Sequence, residues 1–211
     1  MFEDDVELDE INIELQPLAD KRRLPVGPEP AGQGSTLMFW GDKDQSKMYI
    51  SWEVLKTIIE HAESSLEREI GGFLLGTECM AEHRPCLDIK QAIKACNTIE
   101  NAASITFTHA TWERFGQEHA QQWPNYGVAG WYHSHPGFGV FLSEYDLFIH
   151  RNFFNAPFHV ALVIDPIDRE IGFFIWRDND VRLADGFAVY IPEESKDAAE
   201  RMINDWTILI G

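Results

Sequence analysis

The chain has 211 residues, 45% of them hydrophobic, and a formal net charge of -18. That length allows one domain with a full core plus extensions, and the acidity argues against a protein that holds nucleic acid through phosphate contacts. The three cysteines, Cys79, Cys86 and Cys96, form no Cys-x-x-Cys pair. Their odd number suggests neither a disulfide framework nor a cysteine zinc site, so reduced cytosolic thiols are the expectation. The opening MFEDDVELDE lacks the basic-then-apolar layout of a signal peptide, and no apolar run approaches a membrane span. A cytoplasmic protein with no membrane and no nucleic-acid partner is expected.

Residues 1–35 stand apart as a flexible extension. An acidic first half is followed by Lys21-Arg22-Arg23 and the Pro/Gly-rich LPVGPEPAGQGS, too little apolar surface to fold alone. Within it Val6, Leu8, Ile11, Ile13 and Leu15 are roughly period-two, the pattern of a segment that adds a strand to a partner or to its own sheet edge. Residues 36–191 read as the folded domain. Ser51 is a plausible N-cap, and Val54, Leu55, Ile58, Ile59, Ala62 and Leu66 predict an amphipathic helix over 52–68. A short glycine-bounded strand over 73–76 follows, then strands around Leu87 to Ala95 and Ile105 to Phe107. A helix is expected over 110–122, weakened by Gly116. The apolar run 128–132 is a strand, 143–154 a helix and 158–164 a buried strand. Two further strands cover 171–176 and 181–191, with Gly186 read as a bulge. Residues 192–211 read as a C-terminal amphipathic helix with Ala199, Met202, Ile203, Trp206 and Leu209 on one stripe. The sum is an α/β fold, a mixed sheet with helices packed against it.

Chemistry concentrates in residues 131–146, WYHSHPGFGVFLSEYD. His133 and His135 are two apart, so in a strand both imidazoles face one side. A helix starting after the Pro/Gly loop can return Asp146 to the same point. Two imidazoles and a carboxylate make a three-ligand zinc site with its fourth position open, as catalytic zinc requires. Taken alone, Ser143-x-x-Asp146 reads as a helix N-terminus with Ser143 as N-cap.

His-x-His, a ten-residue gap, then Asp with Ser three before it closely resembles the JAMM motif of the MPN+ metalloproteases. The likeness is nearest to the branch that holds the deubiquitinase of the proteasome lid and the deneddylase of the COP9 signalosome. It is carried by Gly-Trp-Tyr-His-Ser-His-Pro-Gly at 130–137 and Leu-Ser-x-x-Asp at 142–146, and extends over roughly residues 48–190. The resemblance implies the MPN α/β fold and one Zn2+ per chain on His133, His135 and Asp146. It implies a general base at Glu69, in Glu-Ile-Gly-Gly-Phe-Leu-Leu-Gly, which matches the family's Glu-x-x-Gly-x-x-x-Gly; Glu67 is the competitor if the register differs. Ser143 would then hydrogen-bond the developing oxyanion, which does not exclude its capping role. The family's groove takes the C-terminal tail of ubiquitin or a ubiquitin-like protein. Phe138, Gly139, Val140 and Phe141 in the loop after the histidines are the candidate lining, with Trp112 and Phe115 as further contacts or as core.

The implied activity is a zinc isopeptidase acting on ubiquitin or ubiquitin-like conjugates, with an activating partner chain as a further expectation. Two alternatives stay open: a processing peptidase for sulfur-carrier-like or small-protein precursors, and a non-catalytic MPN scaffold. Other His-x-His hydrolases fit worse. Pro136-Gly137 replaces the Asp-His of the metallo-β-lactamase pattern, and the Pro-Cys-x-x-Cys of zinc deaminases is absent.

Overall fold

The computed structural model describes residues 23–30, 34–42, 47–96, 98–101 and 104–211. The alternating segment from Val6 to Leu15 lies outside them. In chain order the elements are β1 (Ser35–Gly41), β2 (Met48–Ser51), α1 (Trp52–Glu63), β3 (Gly71–Ala81), β4 (Arg84–Lys94), β5 (Ile99–Asn101) and β6 (Ser104–Thr106). Then come α2 (His109–Gln122), β7 (Gly127–Ser134), α3 (Glu144–Phe153), β8 (Val160–Asp165), β9 (Glu170–Arg177), β10 (Asp180–Leu183), β11 (Gly186–Pro192), α4 (Lys196–Asn204) and β12 (Thr207–Leu209). The main sheet runs β1-β11-β2-β4-β3-β7-β8-β9-β10, with β12 also paired to β9; β5 and β6 form a separate two-stranded ribbon. Parallel pairs (β11–β2, β2–β4, β7–β8, β12–β9) mix with antiparallel ones, as the alternation of strands and helices in the sequence implies.

Strand alternation decides which helix covers which face. Leu74, Tyr132 and Leu162 point to one side, where α1 supplies Leu55, Ile58 and Ile59 and α4 supplies Ala199 and Ile203. Their neighbours Phe73, Trp131 and Ala161 point to the other, where Phe115 of α2 and Ile149 of α3 close a second, aromatic core. That second face carries the histidines. Burying both faces accounts for strands that read as continuous apolar runs rather than alternating ones.

Several boundaries differ from the sequence reading. Helix α1 stops at Glu63, and Leu66 is half exposed rather than part of its stripe. Ser51 is its N-cap, with Oγ accepting from Val54 N. The glycine-bounded strand extends to Ala81, because it hairpins onto β4 through Glu82 and His83, both at positive φ. The expected strand 181–191 is two strands, broken at Ala184 and Asp185. The C-terminal stripe is not one helix. Helix α4 ends at Asn204, Trp206 folds into the first core beyond it, and Thr207–Leu209 adds a parallel strand to β9. The extension is likewise not wholly separate from the domain. Leu24 is buried in the first core, and Gly27 N and Pro25 O bond Glu78 along the part of β3 that β7 leaves unpaired. Nor are all thiols free: Cys79 and Cys86 stand opposite each other in the β3–β4 register and are joined by a disulfide. Counting cysteines could not show this, since the pairing depends on where the hairpin turns. No helix among the described residues is long and apolar enough to cross a membrane.

Gly130 sits where β7 meets β8 so closely that a Cβ there would collide with Val160 O. Gly130→Ala should therefore lower the unfolding free energy by about 1–3 kcal/mol. Gly116 on α2 has open space around its Cα, so Gly116→Ala should be neutral or raise stability by up to ~1 kcal/mol. Denaturant unfolding of both variants checks the pair.

Candidate metal centre

Strand β7 lies between β3 and β8, with Gly71 opposite His133 on one side and Val163 opposite it on the other. His135 is one residue past the strand, yet its N–H still donates to Ile164 O at 2.9 Å, which holds it in line with β8. Glu69 precedes β3, and its neighbour is locked to the histidine segment twice. Ser134 N donates to Ile70 O at 2.8 Å, and Ile70 N donates to Ser134 Oγ at 3.0 Å.

Asp146 arrives through the N-terminus of α3. Ser143 is the N-cap: its Oγ accepts from Asp146 N at 3.2 Å, while Asp146 Oδ2 accepts from Ser143 N at 2.8 Å and from the Ser143 hydroxyl at 2.6 Å. This capping box satisfies orphan donors of the first turn and at the same time aims the carboxylate. Oδ1 stands 3.3 Å from His133 Nε2 and Oδ2 3.6 Å from His135 Nε2, and the two Nε2 atoms are 2.9 Å apart. Glu69 Oε1 is 3.8 Å from His135 Nε2.

All four groups are buried, with Glu69 3% and Asp146 2% exposed. Burial pushes the Glu69 carboxyl up to about 7, against a smaller downward pull from His135. For Asp146 burial acts upward but is outweighed by His133, His135 and the Ser143 hydroxyl, which hold it well below the usual carboxylate range. Burial lowers His133. His135 is also pressed down by burial, yet Asp146 and Glu69 carry it above the ordinary value. Two imidazole nitrogens confronting each other beside two carboxylate oxygens place lone pairs on one point, an arrangement that suits a divalent cation. His133, His135 and Asp146 are the one such group of three among the described residues, their ligand atoms all within 4.8 Å. The donor set, two nitrogens and one oxygen, matches a three-ligand zinc site.

Of the two glutamates weighed for the base, Glu69 faces the site and Glu67 is exposed. The loop candidates divide. Phe141 is 45% exposed with its ring 4.7 Å from that of His135, Phe138 is 56% exposed, and Val140 packs over Gly172. Trp112 and Phe115 belong to the aromatic core: Phe115 stacks on Phe73 at 4.0 Å and Trp112 on Phe153 at 5.4 Å. They do not reach the metal centre, because α2 turns that face toward the sheet. Burial together with the neighbouring His159 pushes His150 down to about 3, so it is neutral.

Asp165 ends β8. It is fully buried, and four backbone N–H groups converge on it: Gly137 at 2.9 Å, Gly139 at 2.7 Å, Ile167 at 2.8 Å and Asp168 at 3.1 Å. Gly139 O in turn lies 3.1 Å from His135 Nδ1. The carboxylate therefore fixes the loop whose carbonyl sets the tautomer of His135. An Asp closing a buried strand just before Pro166 was the available signal. Burial would raise this group, but the four amides hold it below the usual range. Its folded-state pKa being depressed, its contribution is full above about pH 4 and lost as pH falls through the folded value. Asp165→Asn should cost about 1–3 kcal/mol at pH 7, and the gap from wild type should narrow below pH 4 in denaturant titrations.

The model of the JAB family, JAB1/Mov34/MPN/PAD-1 ubiquitin protease, matches residues 44–156. The 26S proteasome regulatory subunit RPN11 of Eremothecium gossypii is 29% identical over 128 residues, 60% of this chain and 40% of that protein. The ubiquitin carboxyl-terminal hydrolase RPN11 of Saccharomyces cerevisiae is 28% identical with the same coverage. COP9 signalosome complex subunit 5 of Candida albicans is 28% identical over 58% of this chain and 20% of its own length. The matches thus span well under half of these relatives. The solution structure of protein DSY2949 from Desulfitobacterium hafniense superposes with a TM-score of 0.52 at 15% identity, over 72% of this chain and 97% of that one, a likeness of fold. With its family pattern reaching across more than half the sequence, the chain belongs to the JAB1/Mov34/MPN/PAD-1 ubiquitin protease family.

Proposed function

We propose that this chain is a zinc-dependent isopeptidase that hydrolyses the bond following the C-terminal tail of ubiquitin or a ubiquitin-like modifier. The observation that carries the reading is the buried convergence of His133, His135 and Asp146 with Glu69 at its margin. Burying four titratable side chains around one point costs desolvation that their mutual contacts and a bound ion would together offset. The names of the relatives, a ubiquitin carboxyl-terminal hydrolase among them, support the substrate class.

Zinc held by the three ligands would supply Lewis acidity, activating water at neutral pH and polarising the scissile carbonyl. Glu69 accepts the proton of the attacking water and delivers it to the departing lysine amine; burial raises its carboxyl in the metal-free chain, and an adjacent cation would draw it back down. The Ser143 hydroxyl, which donates to Asp146 Oδ2 here, would turn that proton to the developing oxyanion at the N-terminus of α3, where the helix dipole favours negative charge. Phe138 and Phe141 border the centre with exposed rings, a surface for the apolar positions of an extended tail. A partner chain that orders this border would act as activator. The catalytic unit in this reading comprises residues 36–191, with the C-terminal elements completing its first core.

Elemental analysis of protein purified without added metal should find one zinc per wild-type chain and none in His135→Ala. Glu69→Gln should keep the zinc and lose at least about 100-fold in cleavage rate. Loss of rate in wild type on acidification should follow one ionisation at or below about pH 7, since Glu69 must be deprotonated to act and an adjacent cation lowers its pKa. A folded wild-type chain that takes up no zinc on titration would overturn the proposal. Cleavage of a linear fusion but not of an isopeptide-linked conjugate would move the substrate to a processed precursor.

A further inference from the structure

The two histidines of the centre are held in different ways. His135 follows the common pattern for a metal ligand, its Nδ1 paired with a backbone carbonyl, Gly139 O, so that Nε2 is left for the metal side. His133 has no such bond. Its Nδ1 is buried and meets no hydrogen-bond partner among the described residues. Its polar contacts are all on the Nε2 side, toward Asp146 and His135, so no hydrogen bond on the far side of the ring fixes its plane.

An aromatic stack does that instead. The indole of Trp131 lies against the His133 ring with centroids 4.4 Å apart and planes 7° from parallel. The stack follows from strand alternation, which puts residues 131 and 133 on one face. Trp131 is itself completely buried, and its Nε1–H donates to His150 Nδ1 at 3.1 Å. His150 stands on α3 one turn past Asp146, between the rings of Trp176 at 5.3 Å and Phe154 at 6.3 Å. An imidazole accepting at Nδ1 carries its proton on Nε2. That Nε2 is buried with no partner among the described residues, a penalty an apolar side chain at position 150 would avoid. The acceptor for Trp131 is what the imidazole offers in exchange.

We propose that Trp131 and His150 are positioning residues for His133, holding its ring plane so that Nε2 meets the metal together with His135 and Asp146. The inference rests on the metal-centre reading above. It makes α3 the source of two constraints one turn apart: Asp146 supplies a ligand, and His150 orients another ligand through the indole. Neither positioning residue touches substrate.

The test uses the full chain, stripped of metal and reloaded. Zinc affinity is measured by competition with a chromophoric chelator, and the ligand field by the visible absorption of the Co2+-loaded protein. His150→Leu should weaken zinc by at least about tenfold and alter the Co2+ bands. His150→Gln, whose amide oxygen can accept from Trp131, should stay close to wild type in both. Thermal unfolding of the metal-free proteins establishes that the variants fold. If His150→Leu does not fold, Trp131→Phe decides, because it keeps a stacking ring and removes only the donor; weakened zinc and changed bands are expected. Wild-type affinity and spectrum in the folded leucine variant, or in the phenylalanine variant, would overturn the positioning role, as would equal losses in the glutamine and leucine variants. A wild-type chain that binds no zinc would overturn the metal-centre reading instead, so the two failures are distinguishable.

Discussion

The register of β7 between β3 and β8 is the constraint on which the centre depends. Pairing Gly71 with His133 brings Glu69 to the end of β7, and pairing His133 with Val163 places Asp165 beside the loop that follows. A slip of one residue along either ladder would turn His133 and Trp131 to the opposite face, into the core under α1. Close packing enforces the register: a Cβ at Gly130 would meet Val160 O, and one at Gly72 would meet Ile93 O. These glycines leave room for backbones to approach at the points where a side chain would push the strands apart.

Around that frame the polar groups are arranged in connected pairs. The Ser143–Asp146 capping box ends the exposure of the first turn of α3 and aims a carboxylate at two imidazoles in the same set of bonds. Asp165 gathers the amides of the glycine loop, and the loop's carbonyl holds His135. Burial makes these arrangements effective, since in a low local dielectric a fixed hydrogen bond is stronger and an unpaired one costs more. It also explains why Glu69 is held near neutrality while Asp146, a few ångströms away, is driven fully anionic. Glu69 has one histidine at 3.8 Å, whereas Asp146 has two histidines, a hydroxyl and an amide.

The two faces of the sheet divide the labour. The face under α1 and α4 is mainly aliphatic, with scattered rings such as Tyr132 and Phe187, and carries no member of the centre. The other face is aromatic, and its rings run without a break from Phe115 through Phe73, Phe107 and Trp131 to His133. His133 is thus the last ring of a packed core rather than a side chain on a loop, and interiors packed at that density resist displacement. Trp112 and Phe115, legible in the sequence as either core or groove, are part of this packing. The exposed rings near the centre are those of Phe138 and Phe141, on the loop that Asp165 anchors.

Local pattern was enough for the capping serine and the α/β alternation, and it made His133, His135 and Asp146 candidates, while the family motif is what joined the three into one metal site. Strand spacing puts His133 and His135 within reach of one point, and Ser143 starts the helix that carries Asp146 wherever that helix goes. Glu69 needed the family pattern, because a glutamate at a helix end with Glu60, Glu63 and Glu67 nearby has no local mark. What the sequence could not supply depends on contacts between distant segments. The Cys79–Cys86 bond follows from a hairpin turn at non-glycine residues in the left-handed region. The C-terminal residues after Asn204 left their helical stripe because β9 offered an edge to pair with, and backbone hydrogen bonds to a sheet outweighed local periodicity. The bonds of Asp165 to the glycine loop and of Trp131 to His150 appear only once β7, β8 and α3 are side by side, since tertiary packing, not the chain, makes these residues neighbours.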